Sequence, residues 1–338
     1  MKILRNYSLS HLNTLGIDAK AAFYAIVHSV DELMALIQSR EVQNGPILIL
    51  GGGSNILLSK DFPGIVIHNS LKGLEIVDET ADWSLVRSGA GEVWHEFVCF
   101  AIDKGLGGVE NLSLIPGYVG ASPIQNIGAY GVELKDVFHE LEALDLRDGS
   151  LKTFNHSECR FGYRDSIFKH EAKGKYIITS VTFKLNKKPT LNTSYGAIEE
   201  ELKVMGITSP GIKEISQAVI NIRRSKLPDP AEIGNAGSFF KNPEVSVELY
   251  ERIKKDNPEL VAYKTSDQKM KLAAGWLIEQ CGWKGKVVNK VGMHRKQALV
   301  LVNYGGASGQ ELLSHARKVQ QSVKEKFGVE IEMEVNVI

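Results

Sequence analysis

The chain has 338 residues, 43% of them hydrophobic and 24% charged, enough for two or three domains with their own cores. Its 40 basic residues are matched by 40 acidic ones, which argues against a protein built to coat nucleic acid or an anionic membrane. A local cationic pocket for a small anion stays open.

The first residues, MKILRNYSLSHLN, carry no apolar core of a secretory signal, and no apolar run is long enough to span a bilayer. Cys99, Cys159 and Cys281 lie far apart and form no CxxC pair, so no metal site is expected. The expected location is a reducing one, the cytoplasm.

Ser29-Val-Asp-Glu32 reads as a capping box ahead of the helical pattern Leu33, Met34, Leu36 and Ile37. The apolar run Ile47–Leu50 leads into GGGSN at 51–55, and Ile56-Leu-Leu58 follows. This glycine loop therefore lies between two strand-like runs. Gly64–Ile67 and Trp83–Arg87 continue the strand character, and Val93, Phe97 and Ala101 predict a helix ending near Gly105. Leu141–Leu146 and Tyr176–Leu185 read as strands. Ile212–Lys226 reads as a helix stopped by Pro228 and Pro230, and KLPDP at 226–230 is the best candidate boundary. Lys271–Gln280 predicts a helix and Ala298–Val302 a strand. Ser308-Gly-Gln-Glu311 caps a long helix through Leu312, Ala316, Val319, Val323 and Phe327. Val329–Val337 alternates strictly and predicts a strand with Glu330, Glu332 and Glu334 on one face. The mixture gives an α+β protein in two or three lobes.

Between these elements runs IPGYVGASPIQNIGAYG, residues 115–131, whose glycines and prolines forbid a regular helix. Glycines let backbone N–H groups approach an anion with no Cβ in the way. GGGSN alone reads equally well as a tight turn; a second, longer loop of the same type shifts the balance toward a nucleotide. The dinucleotide fingerprint GxGxxG is absent: Gly89-Ala-Gly91 comes near it, but Trp94 stands where the last glycine belongs.

GGGSN between strands, IPGYVGASPIQNIGAYG, YRDS at 163–166, GNAGSFFKNP at 234–243 and the acidic end occur together and in order. This ordered set resembles the UDP-N-acetylenolpyruvoylglucosamine reductases, also called UDP-N-acetylmuramate dehydrogenases, over residues 13–334. The resemblance implies a peptidoglycan-precursor enzyme that uses noncovalent FAD, with NADPH as hydride donor. It implies a vanillyl-alcohol-oxidase-type FAD-binding fold in two lobes plus a smaller α+β substrate-binding domain. The expected division is 1–70 completed by 328–338, 71–225 with a tyrosine-loop insertion, and 226–327. The expected partner is UDP-N-acetylglucosamine enolpyruvate, bound by a monomer.

By the same resemblance, the cofactor is held by Gly51, Gly52, Gly53, Ser54 and Asn55 from the first loop. Ile115, Pro116, Gly117, Gly120, Ala121, Ser122, Gln125, Asn126, Gly128, Ala129, Tyr130 and Gly131 serve it from the second, with Arg223. The implied chemistry passes a hydride from reduced flavin to C3 of the enolpyruvyl group and a proton to C2. It needs stabilisers of negative charge and one proton donor. The motifs put Arg164, Ser238 and Glu334 in those roles, with Lys226 or Lys241 helping Ser238 to release its proton. Periodicity cannot choose among Glu330, Glu332 and Glu334; the family pattern selects Glu334, although Met333 stands where proline is expected in many relatives. Glu334 is expected to be protonated and to donate to the developing enolate. Tyr195, Lys226, Asn242, Tyr263, Lys284 and Gln297 match substrate-binding positions, Tyr195 on the loop that marks the longer type of this enzyme. Read without the family, Arg164–Asp165 is a surface pair and Ser238 a turn serine. The rivals are another flavin oxidoreductase of the same fold and a noncatalytic nucleotide binder.

Overall fold

In the computed structural model, which describes residues 2–338, Ile47–Leu50 forms the strand expected of its apolar run. It pairs in parallel with Phe62–Asn69, Ile47 opposite Ile65 and Leu50 opposite His68. Lys20–Val27 and Leu4–Ser8 complete this four-stranded sheet on the far side of Phe62–Asn69. The helix Val30–Ile37 turns Leu33, Leu36 and Ile37 onto the apolar side chains of Ala25, Ile65 and Ile67. Ser29 Oγ accepts from Glu32 N at 3.1 Å, and Glu32 Oε2 accepts from His28 N at 2.8 Å. Two otherwise orphaned backbone donors are thereby satisfied.

The chain divides into two compact units. The first runs through Tyr7, Ala21–Gly52 and Pro63–Ser225; the second holds Ser8–Lys20, Gly53–Phe62 and Lys226–Ile338. The second sheet of the first unit is antiparallel, in the order Leu151–Asn155, Phe138–Asp145, Tyr176–Asn186, Trp83–Gly89 and Leu74–Glu79. The helix Trp94–Asp103 buries Trp94, Phe97, Val98, Ala101 and Ile102, and the chain turns at Gly105 with φ +72. Rings of Phe97 and Phe183 lie 4.4 Å apart and those of Trp94 and Phe183 5.8 Å apart. Each such buried ring contributes roughly 1.5–3 kcal/mol by leaving water. Helices Gly196–Val204 and Ile212–Lys226 bury Ile198 and Leu202 against Ile215, Val219 and Ile222.

In the second unit Gly234–Ser238 pairs with Val300–Asn303, followed in the sheet by Val291–Met293 and Val287–Val288. The helix Gly309–Phe327 begins with the capping box of Ser308 and Glu311 and ends on Gly328 at φ +69. Residues 8–20 are built into this unit by polar bonds. Asn235 N donates to Thr14 O at 2.9 Å, and Asn303 Nδ2 donates to Leu15 O at 2.9 Å. Asn336–Val337 pairs in parallel with Ile56–Leu57.

Two of the expected elements need correction. The helix expected over Lys271–Gln280 begins only at Ala274, because Lys269–Leu272 is the middle strand of a sheet with Glu244–Ser246 and Ala262–Ser266. Residues 329–335 keep alternating burial, with Val329, Ile331 and Val335 buried, but among the described residues they pair through the single bridge Phe240–Met333. The regular strand is confined to Asn336–Val337. Residues 328–338 lie in the second unit, where their partners are the 239–241 stretch and Ile56–Leu57, the latter within the 1–70 stretch that they were expected to complete.

Candidate functional site

Ser238 ends the strand Gly234–Ser238 at an irregularity in its pairing with Val300–Asn303. Gly237, at φ +67, has its N–H held by Asn235 Oδ1 at 3.0 Å. An extra residue in left-handed conformation re-aims the next side chain, and Ser238 is exposed there. The chain then returns beside its own C-terminal segment: Glu334 N donates to Phe239 O at 2.8 Å, and Lys241 N donates to Glu332 O at 2.9 Å. Lys241 Nζ lies 3.4 Å from Glu332 Oε2. Asn55 joins this group, its Nδ2 donating to Glu334 O at 3.4 Å while its own carbonyl accepts from Asn336 N at 3.1 Å. One end of the GGGSN loop, Ser238 and Glu334 are thus neighbours within the second unit.

The loop's glycines are needed for reasons that sequence alone does not reveal. Gly53, at φ +61, has no room for a Cβ against the Leu12 carbonyl. A Cβ on Gly51 or Gly52 would lie 3.2 Å from the Tyr118 side chain. Tyr118 belongs to the second glycine loop and was not among the predicted site residues, although its place between Gly117 and Gly120 was a usable signal. Its ring lies 6.1 Å from that of His68, nearly parallel, and Tyr24 Oη and His68 Nδ1 are 2.8 Å apart. Burial holds His68 below the ordinary histidine range, with His28 adding to the effect.

The rest of the 115–131 loop is internally braced. Gly120 N donates to Ala90 O at 2.9 Å, and Ser122 Oγ to Val119 O at 2.6 Å. Asn126 is fully buried: Nδ2 donates to Glu133 Oε2 and Gly162 O, and Oδ1 accepts from Lys135 N. Its amide is committed to the protein itself. Gly128–Ala129 and Val132–Glu133 form a hairpin whose two turn residues, Tyr130 and Gly131, have φ +50 and +78. That is the backbone a tight two-residue hairpin demands. The loop entrance is set by His95, also absent from the sequence expectations, whose Nδ1 accepts from Leu114 N at 3.0 Å. Burial lowers the His95 pKa, and the bond from Leu114 assigns its remaining proton to Nε2.

Arg164, in the first unit, stands on a turn at φ +54, and its Nη2 donates to Gly128 O at 2.5 Å. Arg223 faces the same hairpin. It lies beside Tyr130, its Nε is enclosed with no hydrogen-bond partner among the described residues, and Arg164 repels it. Burial pushes Arg223 below the ordinary arginine range, yet a guanidinium does not lose its proton in a protein. An enclosed cation beside a neutral phenol and a second cation calls for an anion. This suits the phosphates of a dinucleotide such as FAD, and it is the physical ground on which the first unit fits that cofactor. A hollow of about 440 Å³ elsewhere on this unit, lined by His28, Lys72, Arg87 and Thr179 among others, includes none of the predicted cofactor residues.

Tyr195 is 46% exposed and stands edge-on to Tyr130 at 5.3 Å. In the second unit, Asn242 Oδ1 accepts from Ala274 N at 3.0 Å, where the helix Ala274–Gln280 starts. Gln297 Oε1 accepts from Leu299 N at 3.3 Å. Lys284 pairs with Glu279 at 2.8 Å, Tyr263 is 56% exposed, and Lys226 is an exposed residue at the end of its helix. Among the described residues no group of His, Cys, Asp and Glu could hold a metal ion, and no helix is long and apolar enough to cross a membrane.

Comparison with known proteins adds to this geometry. The FAD binding domain family matches residues 21–155, and the family described as UDP-N-acetylenolpyruvoylglucosamine reductase, C-terminal domain, matches residues 229–338. The UDP-N-acetylenolpyruvoylglucosamine reductase of Flavobacterium johnsoniae is 53% identical over 100% of both chains. That of Pseudomonas syringae pv. syringae is 50% identical over 98% of this chain and 97% of its own. The solved reductase of Thermus caldophilus superposes with a TM-score of 0.67 and 26% identity, covering 99% of this chain and 98% of its own. The fold extends to 6-hydroxy-D-nicotine oxidase from Arthrobacter nicotinovorans, with a TM-score of 0.55 and 12% identity over 97% of this chain and 86% of the oxidase. These likenesses agree with the α+β flavin fold and second domain expected from the motifs. With both family regions in order along one chain and 53% of residues identical to a full-length relative, the protein belongs to the UDP-N-acetylenolpyruvoylglucosamine reductase family.

Proposed function

We propose that this chain reduces the enolpyruvyl group of UDP-N-acetylglucosamine enolpyruvate to give UDP-N-acetylmuramate, a step of peptidoglycan precursor synthesis. The observation that carries the reading is full-length identity of 53% to a reductase of that name, with the FAD-binding and reductase-specific regions both matched. When bound, FAD supplies the transfer of two electrons from NADPH to the substrate double bond. Arg223 and the backbone of the glycine loops hold its phosphates, and their glycines keep Cβ atoms out of the way.

The remaining roles belong to side chains. Arg164 grips the substrate carboxylate, since a guanidinium can bind it with two parallel hydrogen bonds. Ser238 Oγ gives its proton to C2. A serine is a weak acid, so a cation must stabilise the oxygen left behind; Lys226 serves this better than Lys241, which is engaged with Glu332. Glu334 donates to the enolate oxygen, which requires its carboxyl to be protonated. The support for pairing Ser238 with Glu334 is the 2.8 Å bond between Glu334 N and Phe239 O. Tyr195, Asn242, Tyr263, Lys284 and Gln297 bind the nucleotide sugar. The enzyme acts as a monomer in the cytoplasm.

The test is direct. Purified protein should be yellow with a flavin spectrum, and NADPH should be consumed only when the enolpyruvyl sugar is added. A flavin-containing protein that consumes NADPH equally with and without that sugar would refute the substrate assignment.

A further inference from the structure

We propose that Ser166 is a positioning residue for Arg164, acting through the turn that carries it; this rests on the carboxylate-binding role proposed for Arg164. The turn is closed by reciprocal backbone bonds, Gly162 N to Asp165 O at 3.0 Å and Asp165 N to Gly162 O at 3.3 Å. Both of its ends are tied to one short stretch of the glycine loop. Ser166 Oγ donates to Ile124 O at 2.7 Å, and Asn126 Nδ2 donates to Gly162 O at 2.9 Å. Arg164 sits between these ties in left-handed conformation, φ +54, with Nη2 on Gly128 O. Lys169 Nζ adds a bond to the Arg164 carbonyl at 3.2 Å.

A side-chain-bearing residue held in that conformation is strained and persists only where its surroundings fix it. The Ser166 hydroxyl is well placed to do so: the residue is 1% exposed. That hydroxyl also accepts from Phe168 N at 3.3 Å, but the helical turn it caps, Ile167–Lys169, is only three residues long and gives little reason by itself for a buried hydroxyl. Removing the oxygen frees one end of the turn. The Arg164 backbone can then relax to negative φ, which swings the guanidinium away from the Gly128 carbonyl. Misplacing a substrate-orienting group by about 1 Å can slow a reaction up to a hundredfold.

Stopped-flow absorbance of the FAD-loaded protein separates two rates, bleaching by NADPH and reoxidation by the enolpyruvyl sugar. Ser166→Ala should lower the ratio of reoxidation to bleaching on the order of tenfold. Ser166→Thr, which keeps the hydroxyl, should restore it, and adding Ser166→Ala to Arg164→Lys should lower the ratio no further than Arg164→Lys does. An unchanged ratio, an equal fall in both rates, or a threonine variant as slow as the alanine one would overturn the proposal. An Arg164→Lys variant with the ratio of the parent would instead overturn the role given to Arg164. Should Ser166→Ala fail to retain flavin, Asn126→Ala probes the other tie: a lowered ratio supports the proposal, and an unaltered one overturns it.

Discussion

The backbone N–H of Glu334 donates to the carbonyl of Phe239 at 2.8 Å, so a residue near the end of the chain is fixed one position from Ser238. The bridge between Phe240 and Met333 continues this contact. In the roles proposed for them, Ser238 and Glu334 suit a reaction that builds negative charge and then quenches it.

Ser238→Ala removes the proposed proton source and leaves the backbone contact in place. Its ratio of substrate-driven reoxidation to NADPH-driven bleaching should fall by at least about a hundredfold, the lower range for loss of a general acid. The two absorbance rates measure this. Reoxidation at the parent's rate would mean that the proton comes from elsewhere.

Gly53→Ala should be among the most disruptive glycine changes. The position needs φ +61, and the new methyl meets the Leu12 carbonyl. Strain of this kind costs roughly 1–3 kcal/mol before any steric displacement. Gly282, at φ +75, faces open space, so Gly282→Ala bears the backbone strain alone. Thermal unfolding followed by circular dichroism should show the larger drop in Tm for Gly53→Ala. A smaller drop there than at Gly282 would contradict the crowding described.

His315 makes stability depend on pH. It is buried edge-on to Trp283 at 5.0 Å, with Nε2 enclosed and without a partner among the described residues. Burial first, then Lys318 and Lys286, lowers its pKa from 6.5 to about 4. The unfolded chain therefore takes a proton near pH 6.5 that the folded protein refuses until about pH 4. The contribution is full above 6.5 and is lost as the pH falls from there to about 4. At most it amounts to about 3 kcal/mol. Urea midpoints between pH 7 and 4.5 should fall less steeply for His315→Gln than for the parent protein; parallel slopes would assign the acid sensitivity to other groups.

The thiols should separate by burial. Cys159 is fully buried, and its pKa is pushed up to about 12, chiefly by desolvation. Cys99 is exposed. Under native conditions a thiol reagent should modify Cys99 well before Cys159, which should react only on unfolding. Mass spectrometry after brief labelling identifies the order, and early modification of Cys159 would show that its surroundings open readily.

Where a local signal and a tertiary contact point the same way, the sequence is easily read. The helix Ile212–Lys226 ends just before its prolines, and Ser308 with Glu311 forms the capping box that its spacing announces. The strands Leu4–Ser8 and Lys20–Val27 gave no such pattern. Nor did Val247–Asp256 stand out, a helix with only Ile253 buried. The start of Ala274–Gln280 was misread because Lys271 and Leu272 are captured by a neighbouring strand, an influence that no helical periodicity reports.

The ordered motifs by themselves identified the family by resemblance, because each motif is a short run of adjacent residues, and the resemblance implied the cofactor and the reaction. Only the tertiary structure decided how those runs are used. It made Tyr118 the neighbour of Gly51 and Gly52, joined Asn55 to Glu334 across 279 positions, and hung Arg164 between two ties to the glycine loop. Such pairings come from packing and hydrogen bonding between distant segments, and local patterning along a chain carries no record of them.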